Sequence, residues 1–235
     1  MIEAVIFDWG GTLTPWRTMD FLAGWRAYAD ALHPADAEQA AMVAAALSTA
    51  DAARWGGIKE HQRAFTLAEV LADAGVPHHD DGLDAYRLFW TVATHTDPEA
   101  APMLAELRAQ GRRLGVLSST CWPAEWHEEF LRRDGVLELF DACVWSCELP
   151  WTKPHPQAFT AAMDAVGVAD PDRCVYVGDR LFDDVSGAKA VGMRAVLVPH
   201  STPPADQLVA VDVEPDAVIQ RLADLPTVLR ELDET

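Results

Sequence analysis

The chain has 235 residues, of which 50% are hydrophobic, so it is long enough for one sizeable core or for a core with an inserted subdomain. Its formal net charge of −19 repels the phosphate backbone of nucleic acid, and we expect no nucleic-acid partner. No apolar run approaches the roughly 20 residues that a bilayer span needs, and Glu3 and Asp8 interrupt the stretch where a signal peptide is apolar. We therefore expect a cytoplasmic protein without membrane association.

Five short apolar runs rich in β-branched residues predict the strands of a parallel sheet: "EAVIF" (3–7), "RLGVLS" (113–118), "ACVWS" (142–146), "CVYVG" (174–178) and "RAVLV" (194–198). Helical patterns separate them, and strands that are apolar on both faces are typical of a sheet covered by helices on both sides. The sequence therefore predicts the α/β class with a doubly wound parallel sheet. A short extended piece and a closing helix are expected within 215–232.

The spacing of these runs predicts an insertion, because about a hundred residues separate the first run from the second. Four helical patterns fill that interval, at 19–32, 36–55, 58–75 and 81–94, with Gly75 placed to end the third. We interpret residues 15–93 as an α-helical cap, and residues 1–14 and 94–235 as a Rossmann-like core. Four tryptophans fall near or inside the cap, where we expect them to pack together: Trp16, Trp25, Trp55 and Trp90.

The residues that end the strands are the candidates for chemistry, because ligands of an open α/β sheet bind at the carboxyl ends of its strands. These candidates are Asp8 after the first strand, Ser118, Ser119 and Thr120 after the second, Lys153 after the third, and Asp179, Asp183 and Asp184 after the fourth. The carboxylates can hold a hard cation such as Mg²⁺, which prefers oxygen ligands. Lys153 and the Ser118 hydroxyl can hold the oxygens of a phosphoryl group.

Four segments together carry a family resemblance: "FDWGGTLT" (7–14), "VLSST" (116–120), "TKPHPQAF" (152–159) and "VYVGDRLFDDVSGAKAVGM" (175–193). They resemble, in order and on the same elements, the four motifs of the haloacid dehalogenase-like (HAD) hydrolases, and the predicted cap sits where that superfamily places its C1 cap. The resemblance implies a Mg²⁺-dependent hydrolase acting on a small phosphorylated metabolite. Asp8 is then the nucleophile, which forms an aspartyl-phosphate that water hydrolyses.

The same resemblance implies the roles of the remaining motif residues. Mg²⁺ would be bound by the carboxylates of Asp8, Asp179 and Asp184 and by the backbone carbonyl of Gly10. Asp184 matches the second acid of the fourth motif better than Asp183 does. The phosphoryl group would contact Ser118, Ser119 and Lys153, with Lys153 also orienting Asp8, and Gly11 and Thr12 would shape the loop around it.

Gly10 departs from the pattern of the phosphatases in this superfamily, which typically carry a second aspartate at that position to protonate the leaving group and then activate water. General acid–base catalysis is worth about 10²–10⁴-fold in rate. A substrate with a good leaving group, such as an acyl phosphate, would suffer less from the loss. Alternatively the cap supplies the acid, and the candidates there are Lys59, Glu60 and His61.

Two other functions stay open on the sequence. Phosphonoacetaldehyde hydrolases resemble the chain in the "FDW" start and in a small residue at Gly10, and "IKEHQRA" (58–64) is similar to the surroundings of their Schiff-base lysine, which implies that role for Lys59. A binding or regulatory protein that kept the fold and lost turnover is the second. Metal-free dehalogenation is disfavoured because Asp179 and Asp184 preserve the metal set.

Overall fold

A computed structural model describes residues 1–203 and 207–234 of the chain. Within these residues the strands are β1 (Ala4–Phe7), β2 (Arg113–Ser118), β3 (Ala142–Trp145), β4 (Cys174–Gly178), β5 (Arg194–Leu197) and β6 (Ala217–Val218). The α-helices are α1 (Phe21–Leu32), α2 (Ala37–His61), α3 (Leu67–Asp73), α4 (Asp80–Trp90), α5 (Ala100–Ala109), α6 (Ala124–Arg133), α7 (Pro156–Val166), α8 (Gly187–Ala190) and α9 (Leu225–Asp233). A π-helical turn at Leu181–Ser186 leads into α8.

The six strands form one parallel sheet in the order β3-β2-β1-β4-β5-β6, which confirms the predicted α/β class and doubly wound sheet. β1 lies between β2 and β4, with Phe7 in register with Val177 of β4. The strand order reverses between β1 and β4, which is where ligands of such sheets bind. Asp8 and Asp179 follow these two strands directly, so the topology itself brings them to the same crevice.

The sheet separates two hydrophobic clusters because successive side chains of a strand point to opposite faces. Val5 and Phe7 of β1 belong to the cluster that includes α5, α6, α9 and the residues of α1–α4. Ala4 and Ile6 belong to the other cluster, with Phe159 of α7. All four β1 side chains are fully buried, as expected for a central strand covered on both sides.

The predicted helical insert is present as α1–α4, but with different bounds: α2 continues from the pattern at 36–55 into the one at 58–75, and the remainder of the latter begins again as α3. α2 ends at His61, and its C-cap residue Gln62 adopts a left-handed φ of 52°. The carbonyl of Gln62 then accepts a hydrogen bond from the Thr152 amide (3.0 Å). α3 restarts with a capping box in which Thr66 and Glu69 satisfy each other's backbone N–H groups. The Thr-x-x-Glu spacing was visible in the sequence, but the partner at Thr152 was not.

The tryptophans in or near the insert mostly confirm the expectation of core packing. Trp25 and Trp90 are buried, and Trp55 is half-buried with its ring 5.0 Å from that of Phe65. Trp16 is the exception, because its indole bonds to Asp179 instead of packing in the insert. The extended piece expected within 215–232 is β6, and the closing helix is α9. None of the helices in residues 1–203 and 207–234 is both long and apolar enough to cross a membrane.

Candidate active site

A buried lysine joins the ends of β1 and β4. The Lys153 side chain is inaccessible to solvent, and its Nζ lies 2.8 Å from Asp8 Oδ1 and 2.6 Å from Asp184 Oδ1. Nζ also donates to the Tyr176 hydroxyl (2.9 Å), which in turn donates to the Leu117 carbonyl (2.7 Å). Burial opposes the charge on Lys153, but Asp184 and Asp8 outweigh it and raise the pKa of the ammonium. Lys153 is therefore a fixed positive charge.

Asp8 is buried at the end of β1 with its two carboxylate oxygens in different environments. Oδ1 contacts Lys153 and accepts a hydrogen bond from the Trp9 amide (2.8 Å). Oδ2 is buried and has no hydrogen-bond partner among the residues that the structure describes. Burial raises the pKa of Asp8 and Lys153 opposes that rise. Oδ2 of Asp8 is thus a buried acceptor that no described residue satisfies.

Arg180 supplies the second cation of the site and is half-buried. Its Nη1 lies 2.9 Å from Asp183 Oδ2, and its Nε lies 3.8 Å from Asp179 Oδ1. Burial of Asp179, followed by the nearby charge of Asp184, raises the pKa of Asp179 to about 7. The Asp184 carboxylate is fixed by Lys153 on one oxygen and by the Arg180 amide on the other (2.9 Å). Asp183 pairs with Arg180, while Asp184 contacts Lys153.

Two glycines allow these side chains to approach one another. A Cβ on Gly178 would overlap the carboxyl group of Asp184, so only glycine fits at the end of β4. Gly11 has a φ of +92°, and a Cβ there would overlap both Asp179 and the indole nitrogen of Trp16. The loop that follows β1 also closes on itself, because the Gly11 amide donates to the Thr14 carbonyl (2.7 Å).

The acidic cluster fits a hard divalent cation. Asp8, Asp179 and Asp184 each offer a ligand oxygen, and these atoms lie within 4.8 Å of one another. When ionised, the four neighbouring carboxylates exceed the two cations, Lys153 and Arg180, by two charges, which is costly in a buried site unless a cation compensates. Mg²⁺ prefers such oxygen ligands. The donor set therefore suits Mg²⁺ by charge and by chemistry.

Gly10 occupies a position with room for a side chain. A Cβ there would meet nothing within 4 Å in the described structure. Gly11, by contrast, has a left-handed φ and no space for a Cβ. The missing aspartate is therefore not imposed by crowding, and what Gly10 changes is the set of groups available for proton transfer.

The remaining candidates fall into two groups. Ser118 is buried at the end of β2, and half-buried Ser119 accepts a hydrogen bond from the Thr152 hydroxyl (2.7 Å), which links the loops after β2 and β3. Thr12 is buried within the β1 loop. Lys59, Glu60 and His61, in contrast, lie on the last turn of α2 with exposed side chains. A Schiff-base lysine is activated by a desolvated pocket, and exposure of Lys59 does not provide one.

Sequence reasoning missed three side chains of the site. Arg180 could have been found, because its i, i+3 spacing to Asp183 is a charge-pair pattern. The indication for Tyr176 in the sequence is weaker: a hydroxyl in a buried apolar strand needs a hydrogen-bond partner. Nothing in the sequence indicates that Trp16 belongs to the site, because its partner Asp179 is 163 residues away in the chain.

Comparison with known proteins shows the family to which this fold and site belong. The profile of the haloacid dehalogenase-like hydrolases matches residues 2–192. The chain belongs to the haloacid dehalogenase-like hydrolases. This confirms the family that the four motifs indicated and makes the protein a hydrolase by membership.

Individual relatives of this HAD-like hydrolase differ in activity. It is 33% identical over 164 residues to the glyceraldehyde 3-phosphate phosphatase of Methanopyrus kandleri, a match that covers 70% of the chain and 66% of that relative. The chain spans less than two thirds of the length of the first curated relatives that it matches.

Among solved structures, an HAD phosphatase of Thermococcus onnurineus has a TM-score of 0.69 at 24% identity, covering 97% of this chain and 98% of its own. A 2-haloacid dehalogenase of Pseudomonas syringae has a TM-score of 0.65 at 27% identity, covering 98% and 99%. The fold is therefore shared by phosphatases and dehalogenases, and the choice between them depends on the site.

Proposed function

We propose that this hydrolase removes the phosphoryl group from a small phosphorylated metabolite, with Asp8 as the nucleophile. The observation that carries the proposal is the state of Asp8, which is buried with one oxygen held by Lys153 and the other without a partner among the described residues. The acidic cluster beside it supports a phosphatase over a metal-free dehalogenase, because three converging carboxylates suit a cation. The relative named a glyceraldehyde 3-phosphate phosphatase supports a small phosphate ester as substrate.

In the proposed reaction, Asp8 Oδ2 attacks phosphorus, the bond from phosphorus to the leaving oxygen breaks, and the leaving group takes up a proton from water. Water then cleaves the aspartyl-phosphate and regenerates the carboxylate. Lys153 holds the other oxygen of Asp8 and offsets the repulsion between two anions, and the Ser118 hydroxyl binds a phosphoryl oxygen. Asp8, Asp179, Asp184 and the Gly10 carbonyl would hold Mg²⁺, which would supply positive charge to the developing transition state.

Gly10 and the helical insert define the rest of the proposal. Without a carboxyl at Gly10, the site favours substrates whose leaving group needs little protonation, such as acyl phosphates. We assign residues 15–93 to a cap over the crevice and residues 1–14 and 94–235 to the core. The connection between α2 and α3 supports this assignment, because the Gln62 and Cys121 carbonyls accept hydrogen bonds across it from Thr152 and Leu67.

The test is phosphate release by the purified full chain with Mg²⁺ from acetyl phosphate, p-nitrophenyl phosphate, glyceraldehyde 3-phosphate and phosphonoacetaldehyde, with halide release from a 2-haloacid in parallel. We expect turnover of phosphate substrates and a loss of more than about 10³-fold in Asp8→Asn, because the covalent step has no other nucleophile. Asp30→Asn is the matched control, since that aspartate forms an exposed ion pair with Arg26.

Each outcome decides between candidate functions. Equal rates in Asp8→Asn and the parent would refute the proposed nucleophile. Halide release without phosphate release would establish a dehalogenase, and turnover of phosphonoacetaldehyde alone would revive the Schiff-base role of Lys59. Phosphate binding without any turnover would leave a binding protein.

A further inference from the structure

The Trp16 indole donates a hydrogen bond to one carboxylate oxygen of Asp179, a proposed metal ligand. Its Nε1 donates to Asp179 Oδ2 at 2.6 Å. The other oxygen, Oδ1, is buried and has no hydrogen-bond partner within the described residues; the nearest cationic atom, Arg180 Nε, is 3.8 Å away. The indole therefore divides the carboxylate into an occupied oxygen and a free one. Asp179 belongs to the acidic cluster with Asp8 and Asp184, so this buried oxygen is an acceptor suited to a cation.

The loop after β1 is shaped around this hydrogen bond. Gly11 has a φ of +92°, and a Cβ on it would overlap Trp16 Nε1 and Asp179 Oδ2, the two atoms that the bond joins. Any side chain at Gly11 would thus displace the indole, the carboxylate or both. Glycine at this position therefore permits both the left-handed backbone and the hydrogen bond between Trp16 and Asp179.

The backbone of Trp16 is also anchored. Its amide donates to the Ser201 hydroxyl (3.1 Å), and that hydroxyl donates to the Gly11 carbonyl (3.3 Å). Three segments that are distant in the chain are therefore joined around Asp179: the β1 loop, the turn after β4 and the segment after β5. Such support fixes the backbone from which the indole reaches Asp179 Oδ2.

We propose that Trp16 is a positioning residue that sets the divalent-cation affinity of the cluster formed by Asp8, Asp179 and Asp184. By holding Oδ2, the indole N–H presents Oδ1 to the cation and fixes the carboxylate before the cation arrives. Groups that hydrogen-bond to ligating side chains typically change metal affinity by about 10- to 100-fold when removed. This inference rests on the proposed metal site and adds a residue that acts through Asp179.

The test is calorimetric titration of the metal-free full chain with MgCl2 in the absence of substrate, comparing the parent with Trp16→Phe. Phenylalanine keeps an aromatic ring and removes the donor. We expect the Kd for Mg²⁺ to rise by about 10-fold or more. Ser201→Ala, which removes only the anchor of the Trp16 backbone, is expected to raise it by less.

The matched control is Trp25→Phe. Trp25 also donates its indole N–H to a buried carboxylate, Asp51 Oδ2 at 3.1 Å, but within the helical insert. It undergoes the same chemical change, so we expect an unchanged Kd for Mg²⁺ and a lower melting temperature in EDTA. Trp16→Phe should show the reverse pattern, with affinity lost and the melting temperature in EDTA nearly kept.

The outcomes separate this inference from the metal site itself. Parent-like affinity in both Trp16→Phe and Ser201→Ala would overturn the role of Trp16 while leaving the site in place. An equal loss of affinity in Trp25→Phe would show a general destabilisation and would also overturn it. A parent that binds no Mg²⁺ would remove the proposed metal site and the inference together.

Discussion

At the scale of the residue, Gly10 is the position where the chemistry of this HAD-like hydrolase departs most from the motif that it resembles. A side chain there has room, since a Cβ would meet nothing within 4 Å in the described structure. Asp8, two residues before it, contacts Lys153. In the proposed mechanism Asp8 is the nucleophile and Gly10 offers no general acid, so we expect formation of the aspartyl-phosphate to outpace its hydrolysis.

Gly10→Asp should accelerate turnover of p-nitrophenyl phosphate by about 10²-fold or more, because it restores a group that can activate the hydrolytic water. The measurement is stopped-flow release of nitrophenolate. The parent should show a burst followed by a slow phase, and the variant should show a faster slow phase. Gly56→Asp is the matched control, since Gly56 is exposed on α2 and also has space for a Cβ. A folded Gly10→Asp variant with an unchanged slow phase would contradict the prediction.

At the scale of the element, α6 supports the loop that follows β2 through a buried histidine. Nε2 of His127 is hydrogen-bonded to Thr120 Oγ1 (2.8 Å), two residues after Ser118. The imidazole stacks on Trp145, with ring centroids 4.3 Å apart. Burial lowers the pKa of His127 from 6.5 to about 3, so the ring is neutral in the folded protein at neutral pH.

His127 predicts a specific pH dependence of stability. Because its pKa is lower in the folded than in the unfolded state, its contribution is fully present above pH 6.5 and is lost as the pH falls toward about 3. Between pH 7 and pH 5 this one group should reduce the free energy of unfolding by about 2 kcal/mol. Urea denaturation at the two pH values should therefore show a smaller loss in His127→Gln than in the parent.

The control for this pH dependence is His78→Gln, which replaces a histidine whose side chain is 64% exposed. Its loss of stability between the two pH values should follow that of the parent. If His127→Gln also follows the parent, the buried neutral state of His127 is wrong.

At the scale of the whole molecule, the helical insert and the sheet share one hydrophobic core. The cluster that holds Val5 and Phe7 of β1 also holds Trp25 and Leu47 of the insert. Trp122, after β2, lies 6.3 Å from Tyr86 and 5.7 Å from Trp90, ring centroid to centroid. A continuous core couples the stability of the parts that it joins.

We therefore expect a single unfolding transition in urea with EDTA present. Far-ultraviolet circular dichroism reports all the helices, and tryptophan emission reports the shared aromatic cluster, so their midpoints should coincide. Trp122→Ala removes the aromatic side chain between the insert and β2, and it should lower the midpoint or separate the two signals. Two separate transitions in the parent would show that the insert unfolds independently of the sheet.

Much of the site could be predicted because its residues stand at strand ends. Asp8, Ser118, Lys153, Asp179 and Asp184 follow four apolar runs, and the geometry of parallel sheets brings those ends to one edge. The contacts of Lys153 with Asp8 and Asp184 agree with that expectation. The prediction of one continuous helix over 58–75 was wrong, because local helix propensity does not report the hydrogen bond from the Thr152 amide to the Gln62 carbonyl.

By itself the sequence determined the class of the fold, the order of the elements and the identity of the acidic groups and of Lys153 in the crevice. These follow from short-range patterns: the period of apolar residues, the turn residues after each strand and the spacing of four motifs. Only the tertiary structure decided which oxygens of Asp8 and Asp179 lack a partner among the described residues, that Trp16 holds Asp179, and that Gly10 has room while Gly11 has none. Those features depend on contacts between segments more than a hundred residues apart. Such contacts arise from packing, and no periodic pattern in the sequence indicates them.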